Sequence, residues 1–320
     1  MKILIASSID PDAIQSLEQN HDVLCAFGAS EDVLVDKISD REVLIFRSGV
    51  QITTKVLAAA SHLKLILRAG SGIDNIDLDY VIEHGYELIR IPGPGARAVA
   101  EMAFGYMIAL ARNMLVADKM TRQGRWMKRE MTGYLLKGKT LGIVGAGNIG
   151  RQTGMLGVAW GMNVIGCVEA PTEDSERNLK AHGIRLTSLQ EVLSQSDFVC
   201  LHVPLQESTR HLINAERLAL MKPGAYLVNL ARGGVVDEQA LFDALTSGNL
   251  AGAALDVHAQ EGEGKISPLA ELDNVILTPH IGASAFDAQR EIGEIITSAV
   301  ERVAAREQSD SAVWESVTEE

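Results

Sequence analysis

The sequence has no apolar run long enough to cross a membrane, and it carries little positive charge. A membrane-spanning helix needs roughly 18 or more consecutive apolar residues, and no run in the 320 residues approaches that length. The 29 Lys and Arg are outnumbered by 42 Asp and Glu, which gives a net charge of −13. Such a chain is a poor match for nucleic acid or for an anionic membrane surface. We therefore expect no nucleic-acid partner and no membrane partner, and an anionic substrate must be met by local cations.

Cysteine is also scarce, and no leader peptide is recognisable. The three cysteines Cys25, Cys167 and Cys200 each lie in an apolar, strand-like run without metal-ligand spacing, so they are predicted to be buried thiols and no metal is expected. The opening MKILIASSID contains a short strand, whereas a signal peptide has a longer apolar core and a cleavage site. The sequence therefore predicts a cytoplasmic protein.

Short apolar strands alternate with helical stretches along the whole chain, which is typical of parallel α/β sheets. Hydrophobic residues make up 47% of the sequence, enough to bury two domain cores. Asp10 and Pro11 predict the start of the first helix, with Asp10 as its N-cap. Further helices are predicted over residues 97–124, 148–160 and 286–306, followed by a mobile tail at 307–320. Strands are predicted at residues 2–6, 43–46, 65–67, 141–144, 163–168, 198–203, 226–229, 253–257 and 275–277.

The most specific motif is the glycine-rich turn GAGNIG at residues 145–150, which follows an apolar strand and opens a predicted helix. In this pattern Gly145 permits the tight turn and Gly147 lets the backbone approach a pyrophosphate, while Gly150 lets the helix lie close to the sheet. A second strand follows, so the motif has the β-α-β context that it requires. A dinucleotide is therefore predicted to bind here.

An acid near the end of the second strand is expected to hold the ribose hydroxyls of the dinucleotide. Glu169 follows Gly150 by 19 residues and is the candidate. No Lys or Arg follows before Arg177, so a 2′-phosphate would meet an acid and no obvious cation. NAD is therefore favoured over NADP, with an exposed glutamate that has no function as the alternative.

Three polar residues of complementary chemistry follow predicted strands, where the ligands of open α/β sheets gather. Arg232 can grip a carboxylate in two places while it polarises a neighbouring ketone. His280 can donate a proton to an alkoxide as hydride arrives and take it back in the reverse direction. A carboxylate such as Glu261, within hydrogen-bond reach, would orient the imidazole and keep it protonated. Each residue alone has an ordinary structural explanation, but together they predict a catalytic set.

Six further or already described segments form a recognisable set: RAGSGIDN (68–75), the glycine turn, LHVPL (201–205), NLARGGVVDE (229–238), the 256–261 segment and TPHIGAS (278–284). With these segments the chain resembles the D-isomer-specific 2-hydroxyacid dehydrogenase family over about residues 2–302. In that family the matching Arg, Glu and His are catalytic, so the resemblance implies those roles for Arg232, Glu261 and His280. It also implies cofactor contacts at Ser71, Asn148, Ile149, Val203, Pro204, Leu230, Ala231, Asp256, Gly282 and Ala283, with Asp256 near the nicotinamide amide.

The resemblance implies two doubly wound parallel-sheet domains, one flavodoxin-like and one Rossmann-like, with a substrate cleft between them. Candidate hinges lie at IPGPG (91–95) and near residues 282–285. They predict a substrate and catalytic domain of residues 1–95 plus 286–320 and an NAD-binding Rossmann domain of residues 96–285. Family members are usually homodimers joined through the NAD-binding domain, which would place residues 97–126 at the interface.

Further substrate contacts are predicted in the first domain. Ser71 and Gly72 can turn successive backbone N–H groups towards an anion and so form a nest for the substrate carboxylate. Arg47 and Arg68 each follow an apolar strand and can hold a second anionic group, as the phosphoglycerate branch of the family requires. Ordinary solvated arginines are the alternative.

The sequence departs from the family pattern in three places. Val168 stands at the usual position of the ribose acid, one residue before Glu169. Gly95 and Ala98 stand where the family often has Asn and Ser, which bears on phosphoglycerate as the substrate. The chain ends soon after Arg306, so a C-terminal regulatory domain is not expected.

The sequence thus predicts an NAD-dependent oxidoreductase that transfers a hydride between NAD(H) and a small D-2-hydroxy acid or 2-oxo acid. The preferred pair is 3-phosphoglycerate and 3-phosphohydroxypyruvate, with glyoxylate, hydroxypyruvate or an acceptor such as phosphite as alternatives. A corepressor-like protein that binds NAD(H) and recruits protein partners is the alternative of another class. The retained Arg, Glu and His favour the enzyme, whereas an exposed apolar groove would favour the corepressor.

Overall fold

The computed structural model describes the backbone of residues 1–318 and the side chains of residues 1–306. The sequence predicts a mobile tail at 307–320, and the side chains of those residues lie outside the described part of the chain. The strands are β1 Lys2–Ile5, β2 Asp22–Cys25, β3 Val43–Phe46, β4 Leu65–Arg68, β5 Glu87–Arg90, β6 Thr140–Val144, β7 Asn163–Cys167, β8 Ile184–Leu186, β9 Phe198–Leu201, β10 Ala225–Asn229, β11 Leu250–Leu255 and β12 Val275–Leu277. The helices are α1 Pro11–Glu18, α2 Glu31–Ile38, α3 Thr54–Ala59, α4 Leu78–Glu83, α5 Gly93–Ala111, α6 Met114–Arg122, α7 Asn148–Ala159, α8 Glu173–Ala181, α9 Leu189–Gln195, α10 Ala215–Ala219, α11 Glu238–Thr246 and α12 Phe286–Thr318.

The chain divides into two compact units, and the first consists of Met1–Gly95 with Ser284–Glu320. Its sheet is parallel, with strand order β2-β1-β3-β4-β5, which is the flavodoxin-like order. The central strands β1, β3 and β4 are apolar apart from Lys2 at the start of β1 and Arg68 at the end of β4, as is typical of a parallel sheet with both faces covered. Asp10 caps α1 by accepting from the backbone N–H of Ala13 at 3.3 Å, which confirms the predicted helix start.

The second unit is Ala96–Ala283. Its seven parallel strands run in the order β12-β11-β10-β9-β6-β7-β8. The connection reverses between β6 and β9, and ligands of open α/β sheets bind at the carboxyl edge beside such a switch point. The predicted fold class of two doubly wound parallel sheets is confirmed, and so is the β6-α7-β7 unit around the glycine turn.

Helix α7 lies close to its sheet because glycines face the strands. A methyl group on Gly150 would stand 2.3 Å from the carbonyl oxygen of Gly145, and one on Gly154 would stand 2.4 Å from a side chain of β8. At Gly157 the same methyl would come within 2.8 Å of a β6 side chain. The row of glycines therefore sets the distance between helix and sheet.

The prediction of a single helix over residues 97–124 is wrong, because two helices occupy this stretch. Helix α5 begins at Gly93, so residues 93–95 of the predicted hinge segment form its first turn, and it ends at Ala111. Asn113 then adopts a left-handed conformation with φ 51°, which its short polar side chain tolerates, and α6 continues at 62° to α5. Among the described helices none is alone long and apolar enough to cross a membrane, and only the bent α5–α6 pair passes that test, by length and composition.

Three of the four edge strands, β2, β5 and β8, are missing from the prediction because they lack a continuous apolar run. Apart from the buried Ile184 of β8, their residues are partly or fully exposed. Cys25 ends edge strand β2 and is exposed, so its predicted burial is wrong, whereas Cys167 and Cys200 are buried. Burial raises the pKa of the Cys200 thiol to about 12. The last helix starts at Phe286 as predicted but runs beyond the predicted end at residue 306.

Candidate active site

The glycine turn connects β6 to α7 at the switch point of the second unit's sheet. Gly145 has φ +91°, which favours glycine, and its N–H donates to the carbonyl of Cys167 at 3.1 Å. A methyl group on Gly145 would also stand 2.7 Å from Val203 Cγ1. The turn is therefore packed between the carboxyl ends of β7 and β9, and Val203, a predicted cofactor residue, lies against it.

The first turn of α7 fits an anionic group. Gly147 is the N-cap residue, and within the described residues no side-chain cap accepts a hydrogen bond from the first N–H groups of the helix. These groups have no partner within a helix, and a phosphate satisfies them while it gains from the helix dipole. A methyl group on Gly147 would meet no atom within 4 Å. The described residues thus leave the backbone of Gly147, Asn148 and Ile149 open to a pyrophosphate.

The ribose-acid candidate lies just beyond β7, which ends at Cys167. Glu169 is exposed and accepts hydrogen bonds from Gln206 Nε2 and from Ser208 Oγ, each at 3.2 Å. Val168 is partly buried against the core of the unit. The Glu169 carboxylate is therefore held by two side chains of the loop that follows β9.

The other predicted cofactor residues of this unit lie along the carboxyl edges of β10, β11 and β12. Leu230 and Ala231 are buried directly after β10. A methyl group on Gly282 would stand 2.9 Å from Asp256 Oδ2 and 3.4 Å from Leu230 Cδ2. Leu230, Asp256 and Gly282 are therefore immediate neighbours at one edge of the sheet.

His280 and Glu261 form a hydrogen-bonded pair. His280 Nδ1 lies 2.9 Å from Glu261 Oε2, with the two side chains 29% and 42% exposed. A carboxylate only accepts hydrogen bonds, so Nδ1 carries the proton of this bond. Nε2 is left as the atom that can exchange a proton with a substrate.

Although partial burial works in the opposite direction, hydrogen bonding holds the pKa of Glu261 below its usual value. The hydrogen bond and charge of His280 lower it, as does the backbone N–H of His258, which donates to Oε1 at 3.3 Å. Glu261 is therefore ionised at neutral pH. An ionised carboxylate accepts the hydrogen bond from Nδ1 and so fixes the orientation of the ring.

Arg232 lies in the turn after β10, and this turn packs against the segment that carries Glu261. A methyl group on Gly233 would stand 1.8 Å from the carbonyl oxygen of His258. Arg232 is half-buried, and its Nη1 donates to the carbonyl of Ala231 at 2.7 Å. Gly233, next to Arg232, packs against His258, His258 donates to Glu261, and Glu261 is bonded to His280. These contacts connect the three predicted catalytic residues within the second unit.

In the first unit, Arg47 and Arg68 lie at the carboxyl edge of neighbouring strands. Phe46 of β3 pairs with Arg68 of β4, so Arg47 comes directly after the paired residue. Arg68 is 4% exposed, and its guanidinium carbon lies 5.8 Å from the centre of the Phe46 ring. Arg47 is half-buried, which lowers its pKa. The alternative of two solvated arginines therefore fails for Arg68.

The turn after β4 carries Ser71 and Gly72. Ser71 is exposed and Gly72 is half-buried. The buried Asn75 donates from Nδ2 to the carbonyls of Arg47 at 2.9 Å and Val50 at 2.7 Å. These bonds tie the turn after β3 to the turn after β4, so the substrate residues predicted in this unit converge at one edge of its sheet.

Two buried carboxylates hold the loops of the acid–base pair, a role that the sequence reveals for neither. Asp256 is 1% exposed and accepts from the backbone of the segment that carries His280. Glu238 is 7% exposed and accepts from the N–H of Ala259 at 2.6 Å and from Ser267 Oγ at 3.0 Å. Glu238 lies in the first turn of α11, where acids are common, so its sequence position gives no signal of the role.

Comparison with known proteins relates this architecture to one family. Residues 104–282 match the model of the family described as "D-isomer specific 2-hydroxyacid dehydrogenase, NAD binding domain". The D-3-phosphoglycerate dehydrogenase of Methanocaldococcus jannaschii is 41% identical over 315 residues, which cover 98% of this chain and 59% of that protein. This chain therefore spans about three fifths of the length of that relative.

A hydroxypyruvate reductase of Thermotoga maritima is 39% identical over 295 residues, which cover 91% of this chain and 94% of that protein. Among solved structures, the D-lactate dehydrogenase of Aquifex aeolicus in complex with NAD and lactic acid superimposes with a TM-score of 0.84 at 31% identity. That match covers 96% of this chain and 97% of the other. The similarity thus extends beyond the NAD-binding unit to nearly the whole chain.

Proposed function

The chain belongs to the D-isomer specific 2-hydroxyacid dehydrogenase family, and we propose on this basis that it interconverts a small D-2-hydroxy acid and its 2-oxo acid with NAD(H). The hydrogen bond between His280 and Glu261, beside the turn that carries Arg232, supports this activity most strongly. It supplies a proton donor next to a group suited to a carboxylate.

In the proposed reduction the hydride comes from bound NADH and the proton from the protein. Arg232 binds the substrate carboxylate and polarises the ketone. His280 Nε2 gives its proton to the ketone oxygen as that oxygen gains negative charge, and Glu261 stabilises the ring in its protonated form. In the reverse direction His280 takes the hydroxyl proton.

The direct test is the oxidation of NADH, followed by absorbance, with a panel of 2-oxo acids with and without phosphate groups. We expect turnover with at least one member of the panel and none with simple ketones that lack the carboxylate. A protein that binds NADH but reduces no 2-oxo acid would contradict the proposal and favour the corepressor-like alternative.

For the substrate we propose 3-phosphohydroxypyruvate first. Arg47 and Arg68 lie at one edge of the first unit's sheet, and each can make charge-assisted bonds to an anion. We propose that they bind the phosphate, that Ser71 and Gly72 bind the carboxylate, and that residues 1–95 with 286–320 form the substrate domain. Arg68→Ala should then lower the preference for phosphorylated over unphosphorylated hydroxypyruvate by about 1.5 to 3 kcal/mol in transition-state free energy.

Hydroxypyruvate itself is the second candidate, because the Thermotoga maritima protein named for that activity is matched over 94% of its own length. If kcat/KM for hydroxypyruvate equals that for its phosphorylated form, the proposed phosphate site is contradicted and hydroxypyruvate becomes the favoured substrate. An equal effect of Arg68→Ala on both substrates would likewise contradict the phosphate site.

We propose that the protein is a homodimer joined through its NAD-binding unit. Large apolar side chains are exposed on one stretch of this unit, with Leu115 47%, Trp126 82%, Tyr134 60% and Leu135 72% exposed. Exposed apolar surface of this kind marks interfaces. Sedimentation at micromolar concentration should give a dimer, and Trp126→Ser should weaken it, while a monomer in the unaltered protein would refute the proposal.

We also propose a cytoplasmic location. Cys25, Cys167 and Cys200 are free thiols, as expected in a reducing compartment. Cell fractionation tests this location, and recovery of the protein in a secreted or membrane fraction would contradict it.

A further inference from the structure

We propose that Tyr106 of helix α5 is a positioning residue for the loop that carries His280. Tyr106 is 6% exposed and lies in the apolar core of the second unit. Its hydroxyl is hydrogen-bonded to Thr278 Oγ1, at the start of that loop. The proposed effect on turnover rests on the proposed dehydrogenase function, whereas the effect on the loop does not.

The loop is fixed from both sides of His280 by Asp256. The backbone N–H of His280 donates to the Asp256 carbonyl at 2.7 Å. Ile281 N–H donates to Asp256 Oδ1 at 2.9 Å, and Gly282 N–H donates to Oδ2 at 2.7 Å. Thr278 adds a hydroxyl bond to Oδ1 at 2.5 Å. One buried carboxylate therefore binds the segment before and after the imidazole.

The direction of the hydrogen bonds makes Tyr106 the first donor in the series from Tyr106 to Thr278 to Asp256. A carboxylate accepts and does not donate, so the Thr278 hydroxyl gives its proton to Asp256. The Thr278 oxygen must then accept from Tyr106. Burial raises the pKa of Tyr106 to about 12, with the Thr278 bond opposing and the Asp256 charge assisting. Tyr106 therefore remains a donor throughout the neutral pH range.

The position of His280 depends on this support. His280 has φ 56°, a left-handed conformation that few residues other than glycine adopt and that the surrounding structure must enforce. Without the Tyr106 hydroxyl, the oxygen of the half-buried Thr278 loses its donor, and the side chain loses a partner that helps to set its rotamer. We infer that the Thr278–Asp256 bond then loosens, and with it the backbone bonds at Ile281 and Gly282.

The first test needs no substrate and no cofactor. In Tyr106→Phe, the amide hydrogens of Ile281 and Gly282 should exchange about tenfold faster, the scale of one net hydrogen bond, while amides of the central strands keep their rates. Tyr226→Phe is the matched control, because it removes a hydroxyl from the same core cluster, where Tyr226 stacks on Phe198 at 4.9 Å. Unchanged exchange at Ile281 and Gly282, or equal changes in the control, would overturn the proposal.

The second test separates positioning from general damage. Tyr106→Phe should lower kcat roughly 3- to 10-fold and raise the primary isotope effect with 4-deuterated NADH, because misplacement slows the chemical step. The dissociation constant for NADH should stay within about twofold. A smaller fraction of folded protein would lower kcat without changing the isotope effect, and that result would overturn the proposal.

A double-mutant cycle tests whether Tyr106 acts through Thr278. In a Thr278→Val background, Tyr106→Phe should cause no further change in amide exchange or kcat, because the shared bond is already absent. Fully additive effects would overturn the proposed route. If the unaltered protein reduces no 2-oxo acid, the proposed function fails, while the exchange measurement still decides the role of Tyr106 in the loop.

Discussion

Replacing Gly147 by alanine should weaken NADH binding without destabilising the free protein. Gly147 has φ −76° and ψ −150°, an extended conformation open to alanine, and the added methyl would meet no atom within 4 Å. The smaller conformational freedom of the unfolded chain stabilises such a variant by about 0.4 to 1 kcal/mol. The same methyl would stand at the N-cap of α7, where a pyrophosphate must approach the backbone.

The expected size of the effect follows from the bonds that the methyl would block. A hydrogen bond to a charged group is worth about 1.5 to 3 kcal/mol, which corresponds to a roughly 10- to 150-fold higher dissociation constant if one bond is lost. Fluorescence titration of NADH measures this change. Urea denaturation without cofactor measures the stability of the same variant.

Gly150→Ala is the comparison because it should lower the stability of the free protein, which Gly147→Ala should not. Its methyl would stand 2.3 Å from the Gly145 carbonyl oxygen and 2.7 Å from Ile143 Cγ2, and overpacking of this kind costs about 1 to 3 kcal/mol of stability. The reasoning is refuted if Gly147→Ala binds NADH as tightly as the unaltered protein. It is also refuted if Gly147→Ala is the less stable of the two variants.

Three further predictions concern the acid–base pair and the ribose acid. His280→Ala should lower turnover by roughly 10²- to 10⁴-fold with little change in NADH affinity, and near-normal turnover in a folded variant would show that another group donates the proton. Glu261→Gln should make the reduction rate fall off at a lower pH than in the unaltered enzyme, because the charge that favours the imidazolium is gone. Since the pKa of Glu261 is lowered, its contribution to stability is present at neutral pH and is lost as the pH falls through that lowered value, so the two proteins should converge in acid denaturation. Glu169→Ala should narrow the preference for NADH over NADPH, and equal affinities in the unaltered protein would mean that the carboxylate does not contact the ribose.

The central strands and the glycine turn are predictable because their signal is local. A strand buried on both faces of a parallel sheet requires a continuous apolar run, as VLIF of β3 shows, and the turn requires glycine at fixed spacing. The edge strands β2, β5 and β8 carry no such run. The break at Asn113 is likewise invisible, since asparagine also occurs within helices.

The acid–base set is recognisable from residue type and position after a strand, but its supports are not. The bond between Tyr106 and Thr278 joins residues 172 positions apart, and a tyrosine in an apolar helix is typical of an ordinary core residue. Asp256 stands in a recognised motif, yet which of its neighbours its oxygens bind depends on how the loop after β12 folds back. Such roles arise from tertiary contacts that no local pattern encodes.

The glycine row on α7 also bears on how this part of the chain can vary. Gly150 packs directly against the backbone of Gly145, so no side chain at this contact could rotate or be shortened to make room for a larger residue. Substitutions of core side chains therefore do not change the distance between this end of the helix and the strands. Away from the glycines, Met155 and Val158 of the same helix are 44% and 40% exposed. Substitutions at these two exposed positions can therefore alter assembly or solubility while the glycine contacts keep the anion-binding end of the helix in place.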